Sequence, residues 1–423
     1  MHRFGRRFWG PWWFRRGSPR ELVRGHGIRA VAAWLLFAAI APASALETKG
    51  YMRAGTGAAR GGGQACFGLD GAMTKYRLGN ECEVYGEVAL SHAFATQADG
   101  SSVEAIWRGA VYNRNDRKLR FGGTYGGYSN AEAWVRWRDL PWLNGGSLWG
   151  GRRYYRRNDV HIADFFYWNP TGLGAGVEDI GLRNGAKLSY ALFRRGVAAD
   201  KRYITRHDLQ LTKLQTNPGG MVDLGLSVIP RPAQAGAYGG WSMIAQHEQA
   251  RVLGGLHRLI LQYGTGPGIG LSMAGDLYAA GARRLRLIDR LDWQPTERFG
   301  GQAMLAWQRD WRRDAPTQDW WSMGARPTYA FSQHFKLALD LGLDRVQPRG
   351  GQARWLRKVT LAGIVARGPA FWRRPELRVF YTYADWNQAA QWAAAAGSAL
   401  AADGVFGGAT SGSSVGVQVE TWW

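Results

Sequence analysis

The segment Ser414–Trp423 reads SVGVQVETWW. At a period of two, Val415, Val417, Val419, Thr421 and Trp423 share one face, while Ser414, Gly416, Gln418, Glu420 and Trp422 share the other. One face is apolar and the other wet, over about ten residues, a length that crosses a bilayer when tilted. Lipid offers no hydrogen bonds to an open sheet edge, so strands of this kind survive there only in a closed barrel. Taken alone, the segment suits the last strand of a soluble sandwich equally well.

The N-terminus separates the two. Met1 to Arg29 carries eight Arg against one Glu, Ala30 to Ile40 (AVAAWLLFAAI) is apolar, and Ala41 to Ala45 (APASA) supplies small residues in an A-x-A pattern. This reads as a secretory signal with cleavage after Ala45. Its basic part is long, so the natural start codon is expected downstream of Met1. The apolar run is too short to span as a helix, and no other stretch approaches the required length. The exported chain is therefore periplasmic, secreted, or an outer-membrane barrel.

Cleavage leaves 378 residues (423 − 45) and lowers the net charge from +22 to +15. The Arg residues are spread along the chain and the protein is exported, so no nucleic-acid partner is expected. A basic exterior suits anionic lipopolysaccharide; a basic lumen suits anions or sugar hydroxyls. The two cysteines, Cys66 and Cys82, lie near the new N-terminus. An oxidising compartment favours their disulfide, with a pair of free thiols as the alternative.

Short alternating segments recur along the exported part: Glu83 to Ser91, Lys187 to Phe193, Leu209 to Leu214, Val222 to Ile229, Leu256 to Tyr263, Lys336 to Leu343, Lys358 to Arg367 and Leu377 to Trp386. Gly, Pro and Asn punctuate them. The length accommodates roughly 16–18 strands of about ten residues, with the remainder in turns and long loops. A barrel of that size is expected to enclose an aqueous lumen instead of a packed core. The Ala-, Gly- and Ser-rich stretch Ala389 to Ser414 reads as a long exposed loop, or one holding a short helix.

One segment is not filler. Leu148 to Trp168 (LWGGRRYYRRNDVHIADFFYW) interleaves Arg152, Arg153, Arg156, Arg157, Asp159, His161 and Asp164 with the aromatics Tyr154, Tyr155, Phe165, Phe166, Tyr167 and Trp168. Aromatic faces stack on the CH face of a pyranose, and Arg and carboxylates form strong hydrogen bonds to hydroxyls. The segment also fits an aromatic girdle beside a charged loop. A metal site built from Asp159, His161 and Asp164 lacks a second His or Cys at ligand spacing, and no cofactor is expected.

These stretches together resemble the maltoporin family of outer-membrane maltodextrin channels, from just after the cleavage site to the C-terminus. Gly50 to Arg53 (GYMR) is similar to the family's first strand, and Lys75 to Tyr85 (KYRLGNECEVY) follows a loop that carries a disulfide in the family. Trp149 to Trp168 resembles the inward-folded third loop; Arg373 to Trp386 and Thr421-Trp422-Trp423 resemble the barrel's end. The resemblance implies an all-β, 18-stranded antiparallel transmembrane barrel with an inward-folded constriction loop, a homotrimer, and a Gram-negative outer-membrane location. It also implies an aromatic slide flanked by polar tracks. By motif match, Tyr51, Tyr85, Trp372 and Trp422 take slide positions, with Phe166 at the narrowest point. Arg53, Arg77, Glu87, Arg157, Asp159 and Asp164 take polar-track positions, and Cys66–Cys82 is the implied disulfide. Strand parity agrees for several: Tyr51 shares a face with Arg53, and Tyr85 with Glu87.

Departures from the family pattern are specific. Phe166 stands where a Tyr is usual, and Asn169 where an Asp is usual. A slide Phe in mid-barrel corresponds to Leu256 or Leu259. The second-loop Trp given by a neighbouring subunit has no clear match, with Tyr125 or Tyr128 as substitutes, and a polar-track Arg near Ala131 is missing. The implied activity is guided diffusion of maltodextrin or another oligosaccharide, with no bond made or broken. The rivals are a general or anion-selective porin, a barrel lipase, for which no Ser–His motif is found, and a plugged receptor, for which no plug domain is found.

Overall fold

The computed structural model describes residues 46–114, 126–197 and 202–423. The expected signal, Met1–Ala45, and Tyr125 lie outside these residues. Among those described, eighteen antiparallel strands close into a barrel. The seam joins the two ends of the exported chain. The first strand, Glu47–Ala59, pairs on one side with Glu83–Ala93 and on the other with the last strand, Ser411–Trp422. Closure leaves no edge, which is the condition for a sheet in lipid.

The alternation that marks each strand runs inside out relative to a soluble protein. On Arg354–Ala366, Val359 and Leu361 are 43% and 48% exposed, whereas Thr360 between them is 0% exposed. The apolar set faces lipid and the polar set faces the lumen. Turns at one rim are short, as at Leu253-Gly254 between Gly240–Val252 and Gly255–Thr265. Loops at the other rim are long, and both Glu47 and Trp422 lie at the short-turn rim.

Three long-rim segments fold inward. The first, 60–82, is closed by the Cys66–Cys82 disulfide, whose Cα atoms are 6.0 Å apart. The second, 154–171, contains a small hairpin of Asn158–Val160 and Phe165–Trp168 around the turn His161–Ala163. They meet through the backbone: the Lys75 and Arg77 amides donate to the Ala163 and Ile162 carbonyls at 3.1 and 2.9 Å. Gly324 and Gly342 open a slot for the Tyr76 ring, since a Cβ at either would approach it to 2.0 or 2.3 Å. The Tyr76 hydroxyl reaches Ser322 Oγ at 2.7 Å.

The third segment, 387–410, differs from the exposed loop expected there. Asn387 caps a short helix, Gln388–Ala393, by accepting from the Ala390 amide. Ala390, Leu400 and Ala401 are buried, and Phe406 stacks on Phe67 of the disulfide loop at 5.7 Å. The closing strand begins at Ser411. The lumen also departs from the wholly aqueous one expected. Phe67, Tyr76, Ile162, Phe165, Tyr167 and Trp168 pack against Ile244, Ile260, Ile288, Trp320, Val346 and Trp386 of the inner wall. Apolar residues at inward positions of those strands give the loops a dry floor.

Candidate functional site: an aromatic and charged lane along the lumen

The opposite side of the lumen stays polar. The seam register places Trp422 directly opposite Tyr51, Tyr51 opposite Glu87, and Arg53 opposite Tyr85. Directly opposed residues of an antiparallel pair face the same way, so all five project into the lumen. The turn before Glu376–Trp386 adds Trp372, which is 40% exposed and lies 6.3 Å from the Trp422 ring. Tyr51 and Tyr85 are 6.0 Å apart.

Charges bind this row together. The Tyr51 hydroxyl donates to Glu420 at 2.9 Å and accepts from Arg77. Glu420, on the wet face of the last strand, also meets Arg374 at 3.0 Å and Arg378. Arg53 pairs with Glu81 at 2.8 Å and Glu83 at 2.6 Å, and lies 3.6 Å from Asp164. Its guanidinium lies over the Tyr85 ring at 5.4 Å, and Arg374 covers Trp422 at 4.3 Å. Tyr85 donates to Glu87 at 2.7 Å.

The inward hairpin supplies the facing side. Arg157 is held between the Tyr154 and Phe166 rings, 4.3 Å from each, and reaches Glu87 at 4.0 Å. Phe166 is 36% exposed to the channel, whereas its neighbour Phe165 is 2% exposed. Asp164 is held by Lys75 at 2.9 Å. Burial alone would raise the Asp164 carboxyl, but the charges of Arg77, Lys75 and Arg53 outweigh it and keep it well below the carboxylate range. Burial raises the Asp159 carboxyl against the pull of Arg290, Arg77 and Arg157. Asp159 also ties the hairpin to the far wall, its carbonyl accepting from Arg290 at 2.6 Å.

His161 explains itself here as a support. Its ring lies 5.1 Å from Trp372 and 5.8 Å from Trp422, and its nitrogens face Arg77 and Arg374 at 3.3 and 3.4 Å. Burial pushes its imidazole down to about 3; Arg77 and Arg374 add to that, and Glu420 at 3.7 Å opposes it. It is a neutral ring beneath two tryptophans, separate from Asp159 in role. Among the described residues no His, Cys, Asp and Glu cluster suits a metal ion.

Every motif-matched position thus lies in one contact path: Phe166, Arg157, Glu87, Tyr85, Arg53, Tyr51, Arg77, Glu420, Trp422 and Trp372, with Asp159 and Asp164 on the hairpin side. Several alternatives resolve by parity. Leu259 lies on the lipid face, 43% exposed beside buried Ile260, which leaves Leu256 as the lumenal candidate. Tyr128 opposes Val111 on the outward face, so it does not line the lumen of its own barrel. Asn169 turns its carbonyl oxygen to the Thr171 hydroxyl. Near Ala131, where the family's polar-track Arg is missing, Arg108 of the neighbouring strand meets Glu132 and reaches Glu87 at 3.0 Å. Sequence reasoning left Arg108, Lys75, Glu81, Glu83, Glu420 and Arg374 without roles. Parity with Glu87 and Trp422 flags Glu83 and Glu420; Arg108 needs the register with the next strand, and Lys75, Glu81 and Arg374, outside the strands, carry no local signal.

A closed barrel with a lipid-facing apolar band, inward loops and a charged lumen defines an outer-membrane porin. The chain belongs to the LamB porin family, whose model matches residues 46–423, and it resides in the outer membrane of a Gram-negative bacterium. Members of this family are channels. Among solved structures, Pseudomonas aeruginosa OccD3 (OpdP) shares the fold, with a TM-score of 0.50 and 9% identity, over 91% of this chain and 92% of that one. Acinetobacter baumannii OccAB1 gives a TM-score of 0.49 at 9% identity, over 90% and 98%. Salmonella typhi OmpF gives 0.47 at 10% identity, over 89% and 97%.

Proposed function

We propose that this porin is a sugar-selective channel that passes maltodextrins or similar linear oligosaccharides by facilitated diffusion. The observation that carries the reading is the continuous row of rings with charged groups between and beside them, from Phe166 to Trp372. A pyranose offers an apolar CH face and a rim of hydroxyls, and this lane offers rings with flanking donors and acceptors at matching reach. Trp372 and Phe166 expose faces to water, which a sugar partner offsets. Overlapping weak contacts keep each well shallow, so the sugar can enter and still leave.

The ion pairing supports this over an anion-selective porin. Arg53, Arg77, Arg374 and Arg378 each meet Glu81, Glu420 or Glu376 within 3.0 Å. These pairs are buried, so opposite charges cancel within the wall and add little net field to the channel. Residues 1–45 act as the export signal in this reading, supported by the family match beginning at residue 46. The working unit is a homotrimer, as the family resemblance implies. The lipid partner at the long-loop rim is lipopolysaccharide. Arg345, outward between the register-opposed Trp321 and Trp355, suits an anionic headgroup.

The test is to reconstitute residues 46–423 in a planar bilayer and titrate maltohexaose against the ion current. Saturable block is expected. An open current with no block at millimolar sugar overturns the sugar reading and leaves a general porin.

A further inference from the structure

The lane takes one aromatic from each successive strand around the seam: Trp422 from the last strand, Tyr51 from the first, Tyr85 from Glu83–Ala93. The step from Trp422 to Tyr51 is directly across the ladder. The step to Tyr85 is across and two residues toward the long-loop rim, because Tyr85 opposes Arg53. The next strand in the same rotational sense is Ser102–Arg114, and the residue directly across from Tyr85 is Tyr112.

Three observations place the Tyr112 ring in the channel. Register between these two strands runs without a break from Glu83↔Arg114 to Ala93↔Glu104, so Tyr112 must face as Tyr85 does. Arg108, four residues away on the same face, reaches lumenal Glu87 at 3.0 Å. Glu83, two residues from Tyr85 on the same face, forms with Lys75 and Arg53 the cluster that anchors Asp164 beside this position. The ring is 44% exposed. An aromatic this open, on a face otherwise given to salt bridges, needs a partner from the channel.

We propose that Tyr112 is the outermost rung of the sugar lane, stacking on the CH face of a pyranose while its hydroxyl and the Lys75–Glu83 pair engage the ring hydroxyls. The proposal rests on the sugar-channel reading above. The rung is supplied by the chain's own wall, in a sequence where the family's neighbour-donated Trp has no clear match. It lengthens the site toward the long-loop rim, so its effect depends on oligosaccharide length: a chain long enough to reach from Trp372 outward covers it, and a short one settles on the inner rungs.

The experiment compares wild type, Tyr112→Ala and Tyr112→Phe by block of single-channel current with maltohexaose and maltotriose. Unchanged conductance steps and heat-modifiable gel mobility check that each barrel is intact. For Tyr112→Ala the half-blocking concentration of maltohexaose is expected to rise about three- to tenfold, with that of maltotriose within about twofold of wild type. Tyr112→Phe retains most of the hexaose affinity. Unchanged hexaose affinity in Tyr112→Ala, or equal weakening for both sugars, overturns the assignment alone. Absence of block in the wild type overturns the sugar reading and this rung with it.

Discussion

Phe165 and Phe166 are adjacent, chemically identical, and do opposite things. Phe165 turns to the wall, packs edge-on against Trp320 at 5.6 Å, and carries the Arg286 guanidinium over its ring at 5.0 Å. Phe166 turns to the channel and holds one side of Arg157. The same division separates the two halves of the lumen. On one, Phe67, Tyr76 and Phe406 of the inward loops pack with Trp320 and Trp386 of the wall; on the other, Tyr51, Tyr85, Trp372 and Trp422 stand beside charges. Aromatic residues are thus used as mortar and as a track, and strand parity plus loop cover decides which.

Breaking the pair should separate the uses. Phe165→Ala removes a buried ring and is expected to cost about 3–5 kcal/mol of loop docking and barrel stability. It should be read as a lower thermal midpoint and a noisier channel. Phe166→Ala should leave the midpoint nearly unchanged and instead widen the aperture, raising conductance and weakening sugar block. Equal effects on stability from the two variants would contradict the division.

Trp372→Ala and Trp422→Ala sharpen the track side. Each should raise the half-blocking maltohexaose concentration about tenfold, corresponding to about 1–1.5 kcal/mol of ring contact. Assembly on native gels should be intact in both. Wild-type affinity in both variants would remove these rings from the track.

The smallest effect concerns pH. His161 titrates at about 3 when docked, below its ordinary 6.5. Above pH 6.5 it is neutral docked or undocked. Between 6.5 and 3 the undocked loop binds the proton preferentially, so docking weakens as pH falls. Sugar affinity should therefore decline across that window in wild type and decline less in His161→Asn. A flat wild-type profile would show that the ring beneath Trp372 and Trp422 does not report on the lane.

Much of the barrel was legible because its strands obey a local rule. The alternation at Ser414–Trp423 and at Lys358–Arg367 depends only on which face meets lipid, and both segments form strands within a residue or a few of the expected bounds. The resemblance supplied the strand number. Parity could also place Trp422 and Glu87, since neighbours on one strand share their fate. What escaped was non-local. Tyr76 finds its slot between Gly324 and Gly342, far along the chain, and nothing in KYRLGNECEVY announces that. The burial of Leu400 and Phe406 depends on Phe67 and Trp386, so a stretch read as exposed by composition forms part of a core. Arg108 meets Glu132 only across a strand pair, and choosing between Leu256 and Leu259 needed the true register.

The two main-chain hydrogen bonds from Lys75 and Arg77 to Ala163 and Ile162 carry a consequence for tuning. They clamp the disulfide loop to the constriction hairpin without using a side chain. The backbone frame of the aperture and its side-chain lining are therefore separately adjustable. Substituting Arg157 or Phe166 changes the lining and the free width it leaves, while the two main-chain bonds hold the backbones at the same spacing.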